Sequence, residues 1–347
     1  MTHWPSDTFG ARKSQTYKIG NIMIKSLDAK LARIHAGKYT QKDFIIADAK
    51  DGDMGFGTTC PGPVRGTNKL KTKTQYLEAM TEMTKAGLVD IMLMSTSSAE
   101  ALHEKKVFAK SKVTPAVRLN DTTDIWSQRG ENYKQDFSQP FRTARPEKAK
   151  RISDLGLYSV TFSNDVDADL WSLENYRQFR EEATKAKMRH FLEVFNPAMD
   201  IGLKPSELGH YINDSIVRCL AGVMRAEQPT FLKMQYNGAA AMEELASYDP
   251  QNLVVGILGG ARGTTRDTFE LISQAERHGA RVALFGRKIN FAEAPLELVR
   301  LMRMVIERLV SPGEAVKIYH GYMIKNKMHP DREIAEDNEI TDPVLKG

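Results

Sequence analysis

A lysine lies inside an apolar run of the chain, in the segment TFLKMQY, at position 233. If this run is a strand and its lysine faces a protein interior, burial disfavours the charged ammonium form. An unprotonated amine attacks a ketone carbonyl and forms a covalent imine, so Lys233 is a candidate nucleophile. The alternative is a structural lysine at a strand end, whose ammonium group reaches solvent.

Two carboxylates lie in similar apolar runs, Glu193 in FLEVF and Asp48 in FIIAD. Imine chemistry needs groups that move protons between the amine, the substrate hydroxyl and water, and a carboxylate near the lysine can do so. Each could instead be a buried structural carboxylate paired with an arginine such as Arg118. Arg118 is also a candidate contact for the substrate itself.

Two glycine-containing segments follow apolar runs near the end of the chain, ILGGARGTT and LFGRKIN. Glycine lets a phosphate approach backbone N–H groups closely, and arginine adds a bidentate contact to an anion. Gly259, Gly260, Gly286 and Arg287 are therefore a candidate phosphate site, although a Gly-Gly pair alone can simply form a turn.

Short aliphatic runs alternate with amphipathic helical segments, which predicts parallel strands covered on both faces. Eight runs in sequence favour an α/β fold with a closed (β/α)8 TIM barrel over an open doubly wound sheet. We expect a single domain over 1–347, with a barrel core at about 42–310, an N-terminal extension and a C-terminal tail. The eight predicted strands are 44–48, 89–94, 113–118, 158–162, 190–195, 230–234, 253–258 and 281–285.

The connections between these runs carry further predictions. KAGLVDIMLM, DLGLYSVTF and RHGARVALF each predict a helix that ends at glycine before a strand. In a barrel, chemistry takes place at the carboxyl ends of the strands, so the long loops 49–68 and 119–145 could close over a ligand. They could equally be surface insertions or subunit contacts.

The 347 residues carry a net charge of +5 without long basic runs, which suits an anionic small molecule better than nucleic acid. Cys60 and Cys219 lie far apart, and the eight histidines lack close ligand spacing, so neither a metal site nor a cofactor is predicted. No apolar segment is long enough to cross a membrane, and no leader pattern precedes the first run. We expect a cytoplasmic protein.

The chain resembles the class I aldolase superfamily, which includes archaeal-type fructose-bisphosphate aldolase and tagatose-bisphosphate aldolase. Four segments carry the resemblance: FLKMQY, ILGG, FGRKIN and IADAKDG. The resemblance spans roughly 42–310. It implies a TIM barrel, a Schiff-base role for Lys233, an active-site role for Asp48 and phosphate binding at the two glycine segments. The stretch from NDVDADLW to FLEVFNP is similar to tagatose-bisphosphate aldolases and implies proton transfer by Glu193.

The chain departs from that pattern at one strand end. Many archaeal-type members carry a tyrosine acid there, whereas this chain has Phe162 and Ser163. Proton transfer then falls to Glu193, Asp48 or water. The expected activity is carbon–carbon cleavage or formation in a phosphorylated ketose by a homo-oligomer. The alternatives are a transaldolase-type or acyl-transferring Schiff-base enzyme, and a noncatalytic barrel that binds a sugar phosphate.

Overall fold

Eight parallel strands close into a barrel in the computed structural model, which describes residues 24–346. The order around the barrel is β1-β10-β9-β8-β7-β6-β3-β2, while β4 and β5 form a separate antiparallel pair. The strands are β1 Ile45–Lys50, β2 Ile91–Ser95, β3 Thr114–Arg118, β4 Asp121–Thr122, β5 Pro140–Phe141, β6 Leu155–Thr161, β7 Arg189–Phe195, β8 Leu232–Met234, β9 Gly256–Leu258 and β10 Val282–Phe285. All eight predicted runs contribute a barrel strand, which confirms the (β/α)8 fold.

Helices surround the barrel and connect its strands. They are α1 Ser26–His35, α2 Asp53–Phe56, α3 Lys73–Ala86, α4 Thr96–Glu104, α5 Pro146–Ala149, α6 Val166–Lys185, α7 Pro205–Ala221, α8 Ala239–Tyr248, α9 Thr265–Arg277, α10 Arg287–Asn290, α11 Pro295–Ile306, α12 Pro312–Lys325 and α13 Ile334–Asp337. Of the helices that the structure describes, none is long and apolar enough to cross a membrane.

Side chains alternate along every barrel strand between the interior and the surrounding helices. In β1, Ile45, Ala47 and Ala49 pack inside the barrel, whereas Ile46 packs in the outer core against the helices. The same alternation puts Phe191 of β7 inside the barrel. Inward-facing residues recur at every second position of a strand, and those furthest along each strand therefore face the open carboxyl end of the barrel.

Helix α1 covers the opposite, amino-terminal end of the barrel. Its apolar residues Leu27, Leu31 and Ile34 are buried and join the interior cluster. Just before the helix, the Lys25 ammonium donates to backbone carbonyls, including that of Ser111 at 2.6 Å. The N-terminal extension expected before the barrel extends into residues 1–23, which lie outside the described residues. With this end covered, ligands reach the barrel interior from the carboxyl end.

The predicted helix–strand glycines behave in two different ways. Gly87 caps α3 with φ 65°, and Gly279 follows α9 with φ 107°, so both adopt the left-handed conformation that glycine favours. The prediction for Gly156 is wrong, because this residue lies inside β6. A Cβ atom there would lie 2.3 Å from the Leu119 side chain, so close packing, rather than a turn, requires glycine.

The segment after α12 packs against the barrel's helices. The Asp337 carboxylate is buried and accepts a hydrogen bond from the Thr265 backbone N–H at 2.8 Å. Thr341 contacts the Asp267 carboxylate, and Gln274 donates to the Leu345 carbonyl at 2.9 Å. The acidic C-terminal tail is thus a packing arm through Lys346, rather than a free end.

Candidate active site

A cavity of about 640 Å³ opens at the carboxyl end of the barrel, within the size range of small-molecule sites. Lys233 and Glu193 both line it. Lys233 shares the inward parity of Phe231, and Glu193 that of Phe191, so the alternation along β7 and β8 turns both side chains into the barrel. The same geometry buries them, at 5% and 1% exposure.

Lys233 and Glu193 form an ion pair inside the cavity. They are direct neighbours across β7 and β8, which are paired in parallel. The Lys233 ammonium contacts Oε1 of Glu193, while the other carboxylate oxygen, Oε2, accepts a hydrogen bond from Ser159 Oγ at 2.7 Å. One carboxylate oxygen of Glu193 thus contacts the Lys233 amine, while the other is fixed by Ser159. This holds the carboxylate where it can exchange a proton with the amine.

Arg118 holds the acidic side of the cavity together. Its guanidinium donates to Glu193 Oε2 at 2.7 Å, to Asp51 at 2.5 Å and to Asp121 at 3.2 Å. A further bond runs to Ser159 Oγ at 2.9 Å. Buried charges are tolerated when they are paired and hydrogen-bonded, and this planar fork satisfies three carboxylates at once. The structure therefore places Arg118 in the cavity as an organiser of its carboxylates.

The carboxylates around Arg118 differ in their pKa values. Burial alone would raise the pKa of Asp51, but the charges of Arg118 and Lys233 outweigh burial and hold it below its ordinary value. For Asp121, burial dominates and the nearby Glu193 charge adds to it, raising the pKa to about 6 despite Arg118. Asp51 is therefore a stable anion at neutral pH, whereas Asp121 can gain or lose a proton at a pH close to neutral.

Asp48 does not line the cavity, so its expected place in the site is corrected. Its neighbours Ala47 and Ala49 face the barrel interior, and the strand alternation turns Asp48 outward to the helices. There it is fully buried and accepts a hydrogen bond from Lys50 at 3.0 Å. Burial raises its pKa, although Lys50 opposes the shift. Asp51, three residues later and of opposite parity, is the carboxylate that β1 brings to the site.

The four residues of the predicted phosphate site all line the cavity: Gly259, Gly260, Gly286 and Arg287. They follow β9 and β10, which neighbour each other in the barrel. A Cβ atom at Gly286 would lie 2.8 Å from the Ala49 carbonyl oxygen, and one at Gly259 would lie 2.9 Å from the Phe285 ring. The protein's own packing thus requires glycine at both positions, whereas a Cβ atom at Gly260 would have no neighbour within 4 Å, so the backbone there is open to a ligand.

Both long loops reach the mouth of the cavity. Phe56 of the first and Ile125 and Ser127 of the second are among its lining residues. The loops also contact each other, since the Ser127 backbone N–H donates to the Gly55 carbonyl at 2.9 Å. The Arg287 guanidinium lies 5.2 Å from the centre of the Phe56 ring. Together these contacts build a wall above the strand ends.

Sequence reasoning missed Asp51, Asp121 and Ser159. Counting in steps of two from the apolar inward residues of each run would have found Asp51 and Ser159. Asp121 follows the short bend after β3, so no strand pattern predicts its direction. Phe162, considered as the position of a missing acid, packs in the outer core, and Ser159 is the β6 side chain that contacts Glu193. Within residues 24–346, no three His, Cys, Asp or Glu side chains could together hold a metal ion.

The sequence matches no protein-family model and none of the curated proteins. Among solved structures, an archaeal fructose 1,6-bisphosphate aldolase superimposes with a TM-score of 0.59 at 14% identity, covering 81% of this chain and 99% of that one. An archaeal fructose-1,6-bisphosphate aldolase with its catalytic lysine bound to a carbinolamine intermediate gives 0.60 at 14% identity, covering the same shares.

A fructose-bisphosphate aldolase from Slackia heliotrinireducens also gives a TM-score of 0.60, at 13% identity, covering 88% of this chain and 95% of that one. Identities this low relate the folds and leave the reaction open. The chain therefore has the barrel fold of the archaeal, Schiff-base-forming fructose-bisphosphate aldolases.

Proposed function

We propose that this protein is a class I aldolase, which cleaves or forms a carbon–carbon bond in a phosphorylated ketose through an imine on Lys233. The observation that carries the proposal is the buried contact between Lys233 and Glu193 in an open cavity at the carboxyl end of the barrel. A nucleophilic amine needs a neighbouring base, and these two side chains meet that requirement.

The proposed reaction begins when Lys233 passes a proton to Glu193 and attacks the C2 carbonyl of the ketose. Glu193 then returns a proton to the carbinolamine oxygen, water leaves, and a protonated imine remains. Removal of the C4 hydroxyl proton by a carboxylate lets the C3–C4 bond break. Its electron pair moves into the imine to give an enamine, and the C4 fragment departs as an aldehyde. Protonation of the enamine and hydrolysis release the second product and restore Lys233.

Arg118 has a positioning role in this scheme. It holds Glu193 Oε2, so Oε1 stays directed at the amine. Asp51 and Asp121 are held by the same guanidinium and line the same cavity, so either could receive the hydroxyl proton. Asp121 is favoured for this step, because a catalytic acid or base works best with a pKa near the operating pH.

The substrate's phosphate would bind at the β9–β10 rim. Loops after the seventh and eighth barrel strands are a frequent phosphate site in such barrels. β9 and β10 are the seventh and eighth strands of the closed sheet along this chain, and Arg287 supplies a cation beside their exposed backbone. Lys233 on the neighbouring β8 then lies next to the carbonyl of a ketose 1-phosphate.

The experiment is deuterium exchange into dihydroxyacetone phosphate, followed by proton NMR in D₂O. Reversible enamine formation exchanges the C3 proton next to the carbonyl, and we expect exchange with the native protein but none with Lys233→Met. Lys288→Met is the matched control, because Lys288 is another buried lysine whose ammonium donates to the Arg262 carbonyl at 3.1 Å. Tight binding without exchange would instead support a noncatalytic sugar-phosphate barrel.

A further inference from the structure

Among the residues that the structure describes, three cations and three carboxylates line the cavity, but one of the cations has no carboxylate partner. Its cations are Arg118, Lys233 and Arg287, and its carboxylates are Asp51, Asp121 and Glu193. Arg118 contacts all three carboxylates, and Lys233 contacts Glu193. Within residues 24–346, no carboxylate lies within 4.0 Å of Arg287. One cation of the lining is therefore available to a ligand.

Arg287 lies on the glycine side of the cavity. It directly follows Gly286, and Gly259 and Gly260 lie on the neighbouring strand end. The half-buried Lys71 lies near this side, because its backbone N–H donates to the carbonyl of Gly62, which packs against Phe291 of the lining. Arg65 also lies there, but it pairs with Asp331 at 2.7 Å. The available positive charge of the cavity lining is thus at one end of the cavity.

The opposite wall has a different character. Ile125, Ser127, Phe195 and Asn196 line it, and the charged lining residues that precede them in the chain are the carboxylates Asp121 and Glu193. β3 and β7, which precede these residues, lie across the barrel from β10 in strand order. Arg129, two residues after Ser127, is exposed, does not line the cavity and donates to Thr58 Oγ1 at 3.1 Å. This wall offers hydroxyl, amide and apolar contacts.

We propose that the substrate of this site is a ketose with a single phosphate, next to the carbonyl, and an uncharged opposite end. The inference rests on the proposed aldolase function and names its substrate class. It separates this chain from its structural neighbours, whose names specify a fructose 1,6-bisphosphate substrate.

A second phosphate would be placed unfavourably in this cavity. It would approach the carboxylates of Asp121 and Glu193, and within residues 24–346 the cavity lining offers no further arginine or lysine at that end to replace its lost hydration. Like charges and missing counter-charges of this kind are a common way for a binding site to discriminate against a wrong ligand. We expect at least a tenfold preference for the monophosphate.

The test compares fructose 1-phosphate with fructose 1,6-bisphosphate, which differ only at the far end. Each sugar is added over a concentration series and reduced with borohydride, and total adduct on the protein is measured by intact mass. The half-saturating concentration should be at least tenfold lower for fructose 1-phosphate. Dihydroxyacetone phosphate is the common reference, because it lacks a far end.

A gain-of-binding variant gives the second arm. Ser127→Arg places a cation on the opposite wall and should reduce the preference to less than threefold, by improving capture of the bisphosphate. Ser127→Gln adds similar length without charge and should keep the native preference. Both variants retain the backbone N–H that bonds to Gly55.

The outcomes separate the inference from the function beneath it. Equal or tighter capture of the bisphosphate by the native protein overturns the inference, as does capture of dihydroxyacetone phosphate with neither hexose. In both cases the imine chemistry stands. Absence of any adduct, with dihydroxyacetone phosphate as well, removes the proposed aldolase function and the inference together.

Discussion

Replacing Arg118 by methionine tests the charge network at the base of the cavity. The substitution leaves Asp51, Asp121 and Glu193 buried, with Lys233 as the remaining cation among them. Each contact between unit charges about 4 Å apart is worth about 4 kcal/mol before desolvation, at the effective dielectric of a protein. Because hydration and protonation of the freed carboxylates offset most of this, we expect the free energy of unfolding to fall by about 3–5 kcal/mol at pH 7.

The deficit of Arg118→Met must depend on pH. Without the guanidinium, the effect of burial on Asp51 and Asp121 is no longer opposed by Arg118, so their pKa values in the folded variant should lie above those in the unfolded chain. Their protonated forms therefore stabilise the variant at low pH, and this contribution is lost as the pH rises. A single carboxylate contributes up to about 1.4 kcal/mol per pH unit, so the deficit should be about 2 kcal/mol smaller at pH 5 than at pH 7.

Urea unfolding followed by circular dichroism at the two pH values measures this deficit. The control is Arg177→Met, which removes an arginine that pairs with Glu174 and Glu181 on the exposed face of α6 and should change the free energy of unfolding far less than Arg118→Met does. A loss for Arg118→Met that equals the control, or that is the same at both pH values, would show that Arg118 does not stabilise buried carboxylates.

Four further substitutions test individual placements. Asp48→Asn should destabilise the fold by about 3 kcal/mol, because it leaves Lys50 buried without its carboxylate partner, but it should not change the rate of borohydride trapping. Asp51→Asn should slow trapping, because Asp51 lines the cavity. Equal trapping rates for the two variants would contradict these placements. Burial raises the pKa of Asp121 to about 6, so stability from its protonated form is lost as the pH rises from about 4 to 6. Asp121→Asn removes that loss, and its urea stability should gain about 3 kcal/mol relative to the native protein across this range, while parallel pH profiles would exclude the shift. Gly286→Ala brings a Cβ within 2.8 Å of the Ala49 carbonyl and should cost about 1–3 kcal/mol in thermal unfolding and weaken stabilisation by inorganic phosphate; unchanged values would show that the rim can shift.

The barrel could be predicted from the sequence because each strand is a short run that is apolar on both faces. Such runs carry little information about which side chains point inward, since alternate positions are all apolar, and this is why the sequence alone predicts Asp48 in the site. The correct parity follows from the inward Ala47 and Ala49, and it selects Asp51. The direction of the Lys233 and Glu193 side chains did not have to be chosen. Each is the charged residue within its apolar run, and each also faces the barrel interior.

Other parts of the site depend on contacts between distant segments. Arg118 is 75 residues from Glu193 and 67 from Asp51, so its role as the shared partner follows from barrel closure alone. Contact between the two long loops, through Ser127 and Gly55, likewise has no local pattern. For Gly156, a local motif predicts a helix end, but the residue lies inside a strand, where close packing against Leu119 requires glycine.

The decisive measurement on this protein is to find which lysine forms the imine. Native protein is reduced with borohydride in the presence of dihydroxyacetone phosphate, digested and mapped by peptide mass spectrometry. Three buried lysines lie near the carboxyl end of the barrel, Lys50, Lys233 and Lys288. We expect an adduct on Lys233 that is lost in Lys233→Met and slowed in Glu193→Gln. An adduct on Lys288 or Lys50, or none on any lysine while the sugar phosphate still binds, would show that Lys233 is not the imine-forming residue.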